Sequence, residues 1–270
     1  MLFSRQGIRS WTFPVFRLGC YNIYMLKKEI IINGLKINYL ISSDFNPNQA
    51  VVFLPGWKSP ADLFCSVMGK ISNLLAINLP GWGGSEVPKE DWGLVDYSNL
   101  VAAVLQKLNV VNPIVIGHSV GGAIAVEYLS SGREAQKLIL LGGAIIRERL
   151  GRSQKLFIGA KIFRALFPFV NKKWRQRLAG KALSPDYLEA GEMVETYKKL
   201  ISEDRQVAFY KLQLPIVLIW GKDDVATPYR QAEKLKNLSN QAILETIPAA
   251  GHYAFLDKPE EFKKIIAKYL

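Results

Sequence analysis

A serine at position 119, a histidine at 252 and adjacent aspartates at 223 and 224 are the residue types that build a hydrolytic nucleophile. Ser119 stands in Gly117-His118-Ser119-Val120-Gly121, a G-x-S-x-G pattern. Pro113–Ile116 before it reads as a short buried strand, and Ala123, Ile124, Val126, Tyr128 and Leu129 after it recur at helical spacing, so the serine is expected on a tight turn between them. The flanking glycines allow neighbouring backbone to approach, and the strain of the turn holds the hydroxyl outward. A serine hydroxyl is a weak nucleophile at neutral pH and needs a base within hydrogen-bond reach. The chain has only two histidines. His118 shares the serine's turn, where its side chain should point away from the hydroxyl, and is read as packing or support. His252, in Ala249-Ala250-Gly251-His252-Tyr253, is expected to be the general base. The base needs a carboxylate to fix its tautomer and stabilise the imidazolium. Trp220–Pro228 offers two, of which Asp224 is preferred and Asp223 is the alternative. The chemistry expected of this set is acyl transfer through an acyl-serine.

These residues fall at the ends of strand-like runs. Glu29–Asn33 and Leu35–Ile41 flank an Asn33-Gly34 hairpin signal, and further apolar runs follow at Ala50–Leu54, Leu74–Leu79, Ile114–Gly117, Lys137–Gly142, Pro215–Trp220 and Ala242–Ile247. Helical spacing fills Ala61–Lys70, Tyr97–Leu108, Val120–Ser130, Tyr229–Leu238 and Pro259–Leu270. This alternation predicts an α/β fold, a mainly parallel eight-stranded sheet with helices on both faces. The helical block 147–213 interrupts it and reads as an inserted cap on a core of 29–146 and 214–270. Open parallel sheets place chemistry beyond the carboxyl ends of their strands, where 119, 224 and 252 all fall.

The chain has 270 residues, 49% of them hydrophobic and 21% charged, enough for one large domain with an insertion. Its net charge of +12 is unevenly spread. Residues 1–28 carry +5 with no acid, and 147–213 carry 15 basic against 7 acidic residues, which leaves −1 for the rest. The N-terminal segment interleaves Trp11, Phe13, Phe16 and Tyr21, but Arg9, Pro14 and Arg17 break any apolar run a secretory signal would need. A weakly ordered basic tail, a transit peptide or an interfacial anchor would each fit. Residues 147–181 set eleven Lys and Arg against Glu148 alone, among aromatics such as Phe157, Phe163, Phe167, Phe169 and Trp174. Such helices are expected either to form a solvated face over an apolar underside or, with 1–28, to lie on an anionic membrane surface. No nucleic-acid recognition motif accompanies the charge. Cys20 and Cys65 form no disulfide framework or CxxC pair, so a cytoplasmic location is expected, with the peripheral membrane as the alternative. No metal-site spacing occurs, and no cofactor is expected.

The chain order Ser119, Asp224, His252 is that of the α/β-hydrolase fold. With Gly221-x-x-Asp224-x-x-x-Pro228 and Gly251-His252, the sequence resembles the serine esterases of that family over roughly 29–146 and 214–270. The aspartate spacing in that pattern favours Asp224 over Asp223. The resemblance implies that Leu54-Pro55-Gly56-Trp57 is the oxyanion loop, with the backbone N–H groups of Trp57 and Val120 as the two donors. Here Pro55 stands where the family usually has histidine. Asn78-Leu79-Pro80-Gly81-Trp82-Gly83-Gly84-Ser85 is similar to the family's D-x-P-G-x-G-x-S loop with Asn78 for aspartate, and is read as scaffold. Serine at the nucleophile position argues against dehalogenase and epoxide-hydrolase relatives, which use aspartate. The expected function is hydrolysis of small or medium apolar carboxylic esters. A membrane-surface lipase or thioesterase, a carbon–carbon bond hydrolase and a non-catalytic binding protein on this fold are the alternatives.

Overall fold

The computed structural model describes residues 24–68, 71–147 and 190–270. The basic segment up to residue 23, Cys20 with it, and residues 148–189 of the expected cap block, with their aromatics, lie outside the described residues. The described residues 24–147 and 193–270 fall in one compact unit, which contains everything discussed below.

The chain opens with a hairpin, β1 (Met25–Ile32) and β2 (Leu35–Ser42), whose turn residues Asn33 and Gly34 both have positive φ, 50° and 82°. That is the primed turn whose twist matches two antiparallel strands. β1 takes in Lys27 and Lys28, which the sequence counts with the basic segment. They are exposed on an edge strand, where lysines discourage further pairing. The rest alternates: β3 (Val51–Leu54), α1 (Asp62–Met68), β4 (Leu74–Ile77), α2 (Leu94–Lys107), β5 (Ile114–His118), α3 (Val120–Ser130) and β6 (Lys137–Leu141). Then come α4 (Val194–Ser202) and α5 (Gln206–Tyr210), both within the expected cap block 147–213, followed by β7 (Ile216–Gly221), α6 (Tyr229–Leu238), β8 (Ala242–Ile247), α7 (Ala254–Asp257) and α8 (Pro259–Ile266).

The strands form one eight-stranded sheet in the order β1-β2-β4-β3-β5-β6-β7-β8. Only the contacts of β1 with β2 and β2 with β4 are antiparallel. The chain steps from β3 outward to β4 and then back past β3 to β5, so the loops leaving β3 and β5 diverge at adjacent strand ends. Leu54 lies opposite Gly117 there, and the crevice of a doubly wound sheet opens at such a reversal.

The central strands are buried on both faces, as parallel strands covered by helices must be. Leu100, Val104, Val126, Leu129 and Leu235 pack on one face, joined by Leu200 of α4 and Phe209 of α5. Phe64, Phe255, Phe262 and Ile266 pack on the other. Each such side chain contributes about 1.5–3 kcal/mol by leaving water. α2 begins three residues before the expected Tyr97, because Asp96 accepts the Gly93 N–H at 2.8 Å and Glu203 accepts the Leu94 N–H at 3.2 Å. α8 ends at Ile266, short of the expected Leu270. Among the described residues no helix is long and apolar enough to cross a membrane.

Candidate active site

Ser119 has φ 52° and ψ −120°, a conformation that side chains other than glycine avoid and that costs about 1–3 kcal/mol. Three backbone bonds hold it there. Its N–H donates to Leu141 O at 3.0 Å, and its carbonyl accepts from Gly122 N at 3.0 Å and Ala144 N at 2.9 Å. The turn is also tight from outside, since a Cβ on Gly121 would stand 2.2 Å from Leu54 O and 2.5 Å from Pro55 O. The end of β3 therefore presses on the first turn of α3, and no side chain fits between them.

Asp224 follows β7 and His252 follows β8. The Asp224 side chain is fully enclosed, and its Oδ2 lies 2.9 Å from His252 Nδ1. Its Oδ1 accepts the N–H groups of Ala226 at 2.8 Å and Thr227 at 2.9 Å. The Thr227 hydroxyl lies 2.8 Å from Oδ2, 3.1 Å from Gly142 O and 3.3 Å from His252 Nδ1. Burial on its own would raise the pKa of this carboxyl. The bond and charge of His252, with the N–H and hydroxyl of Thr227, outweigh it and bring the pKa below the ordinary aspartate value. The neighbouring Asp223 is exposed, with its N–H donating to Ala250 O at 2.9 Å. Of the two aspartates, Asp224 is thus the one bonded to His252.

Because a carboxylate only accepts, Nδ1 of His252 carries the proton and Nε2 has the free lone pair. Among the described residues no hydrogen bond joins this ring to the Ser119 hydroxyl. The two stand on shared ground nonetheless. Leu141 accepts the Ser119 N–H, and a Cβ on the next residue, Gly142, would lie 3.1 Å from Asp224 Oδ2 and 3.2 Å from His252 Nδ1. Serine rotates between staggered positions, and such bonds in unliganded sites commonly close only when substrate is bound.

The loop after β3 lies over this turn. A Cβ on Gly56 would stand 3.2 Å from Ser119 Cβ, which brings Trp57 alongside the nucleophile. Neither the Trp57 nor the Val120 backbone N–H meets an acceptor among the described residues. The Trp57 ring packs edge-on against Trp82 with centroids 5.5 Å apart and tilts over Tyr197 at 4.9 Å, while Trp82 stacks on Tyr97 at 5.3 Å. An aromatic wall therefore stands beside the expected oxyanion donor.

His118 is 1% exposed, with its ring 4.9 Å from that of His252 and 4.7 Å from that of Tyr253. Burial, reinforced by His252, holds its pKa down to about 3, so the ring is neutral. Residues the sequence did not single out are Thr227 and Gly142. A hydroxyl three positions after the aspartate was the available sign of the first, and nothing local marks the second. Among the described residues no group of three His, Cys, Asp or Glu side chains is placed to hold a metal ion.

Comparison with known proteins gives one consistent picture. Residues 51–265 match the sequence model of the Alpha/beta hydrolase family. The AB hydrolase superfamily protein YisY of Bacillus subtilis is 26% identical over 253 residues, covering 85% of this chain and 94% of that protein. The pimeloyl-(acyl-carrier protein) methyl ester esterase of Nitrosomonas europaea is 25% identical over 241 residues, covering 78% and 92%. Among solved structures, the esterase EaEST from Exiguobacterium antarcticum superposes with a TM-score of 0.68 at 24% identity, covering 90% of this chain and 99% of that one.

Proposed function

The chain belongs to the alpha/beta hydrolase family, and from that premise we propose that it is a serine hydrolase of small or medium apolar carboxylic esters. The observation that carries this reading is the enclosed 2.9 Å contact between Asp224 and His252 beside a serine held in a strained turn. In the reaction, His252 Nε2 takes the proton of the Ser119 hydroxyl as Oγ bonds to the ester carbonyl carbon. The carbonyl oxygen, now negative, receives the N–H groups of Trp57 and Val120. The intermediate collapses, the ester C–O bond breaks, and the alcohol leaves with the proton from His252. Water then repeats the sequence on the acyl-serine, releasing the acid and restoring the hydroxyl. The enclosed Asp224 carboxylate balances the imidazolium in each half without taking its proton.

The aromatic wall of Trp57, Trp82 and Tyr197 supports an apolar partner for the ester, and two of the proteins compared above are named as esterases. The test is hydrolysis of p-nitrophenyl esters from acetate to palmitate. Activity should centre on the short and medium chains, and Ser119→Ala should lower kcat by about 10⁴-fold or more. Full activity in Ser119→Ala would overturn the reading.

A further inference from the structure

We infer that His118 is a positioning residue: its ring, set between the oxyanion loop and the base loop, donates Nε2–H to the carbonyl of His252 and so fixes where the base stands. Its catalytic consequence rests on the ester-hydrolase reading above. The hydrogen bond itself rests on geometry alone.

His118 Nε2 lies 3.1 Å from His252 O, across 134 residues of sequence. A carbonyl oxygen can only accept, so the proton is on Nε2. Nδ1 is buried and without a partner. The opposite tautomer would set a lone pair against the carbonyl and bury an unpaired N–H, each unmet group costing about 1–3 kcal/mol. The ring therefore has one tautomer and one orientation.

That orientation touches both arms of the site. On one side the ring meets His252 and Tyr253, with the edge of Phe255 at 5.3 Å. On the other, Nδ1 would stand 2.8 Å from a Cβ at position 56, so the residue before Trp57 is a glycine pressed against the imidazole. His118 is the last residue of β5, and alternation along the strand sets its side chain on the face of Ile114 and Ile116, the face packed by Phe255.

The base loop is tied on either side of His252, where Tyr253 O accepts from Leu256 N at 2.7 Å and Asp257 N at 3.0 Å. Gly251 N–H donates to Asp257 Oδ2 at 2.7 Å, and Ala250 O accepts from Asp223 N. Asp224 holds the His252 ring at Nδ1, and none of these bonds acts on the carbonyl of His252 itself. His118 supplies the tie at the His252 carbonyl. Without it the Asp224 bond can persist while Nε2 drifts from the serine, a fault that lowers kcat and spares KM, because His118 touches no substrate.

The test compares the wild-type chain with His118→Leu, His118→Gln, His118→Asn and Ser119→Ala by p-nitrophenyl ester kinetics, and reads the wild-type imidazole tautomers from nitrogen–proton correlation spectra. His118→Leu should lower kcat by about tenfold to a hundredfold with KM within about twofold. His118→Gln, whose amide N–H reaches the place of Nε2, should recover most of the loss, and the shorter asparagine should not. The wild-type spectrum should show His118 protonated at Nε2. A leucine variant equal to wild type, a glutamine variant no better than asparagine, or a proton on Nδ1 would each overturn the inference. The spectrum and the glutamine–asparagine contrast decide even where the leucine variant does not fold. A wild-type chain inactive on every ester would instead overturn the esterase reading, and the tautomer would still test the hydrogen bond.

Discussion

The Asp224 carboxylate accepts two backbone N–H bonds on Oδ1 and the His252 ring on Oδ2, with the Thr227 hydroxyl beside it, so donors surround it. An asparagine there must turn its NH2 group toward one of those donors. The backbone N–H groups cannot move away, so the amide is expected to face His252 and drive it to the tautomer protonated at Nε2. Asp224→Asn should therefore lower kcat on esters by about 10³–10⁴-fold with KM little changed, measured by steady-state kinetics. Acid stability separates the two buried groups. The Asp224 carboxyl is held below 3.8, so its contribution is present above that value and is lost as the pH falls through the folded one. His118 is held neutral to about 3 against an ordinary 6.5. The unfolded chain takes up a proton there that the folded chain refuses, so stability declines as the pH falls from 6.5 toward 3. Between pH 6.5 and 4.5 the decline belongs to His118 rather than Asp224. In urea titrations His118→Gln should lose about 2 kcal/mol less than wild type over that interval. Equal losses would contradict the buried neutral ring.

At the scale of elements, the site depends on how closely β3 approaches α3 and on how the chain returns to the sheet at β7. Gly121→Ala would drive a methyl into the carbonyls of Leu54 and Pro55, neither of which can rotate away. It should cost about 1–3 kcal/mol or more in urea unfolding and lower kcat as well, because the displaced loop carries Trp57. Re-entry is held by Arg205. Its N–H donates to Ile145 O at 2.9 Å, and its guanidinium pairs with Glu127 of α3 at 2.6 Å and also with Glu203. Arg147 N–H, in the segment that leaves β6, donates to Asp204 at 2.8 Å. Arg205→Ala leaves two partly buried carboxylates unpaired and should lower stability by about 2 kcal/mol, read as a fall in the urea midpoint. The elements themselves were legible where the pattern was local. The Asn33-Gly34 hairpin and the strand–serine–helix sequence around 119 each carry their cause within a dozen residues. The start of α2 was not, because one of its caps is Glu203, 109 residues away.

For the molecule as a whole, the sheet order explains why residues so far apart in sequence share one edge. Ser119, Asp224 and His252 each follow a strand of the parallel part of the sheet, so their loops leave it on the same side. The residue types and the chain order were readable. The choice between adjacent aspartates rested on spacing in the sequence, whereas in the structure burial distinguishes them, with Asp224 enclosed and Asp223 in solvent. What spacing cannot express is a contact such as His118 to the His252 carbonyl, which exists only once β5 and the end of β8 are folded. The most direct test of the central claim is to treat the intact chain with an alkyl fluorophosphonate and map the adduct by mass spectrometry. One adduct on Ser119, strongly slowed in His252→Ala, is the result expected of a serine activated by that imidazole. Ester hydrolysis by a chain that takes up no label at Ser119, or labelling at another residue in its place, would contradict it.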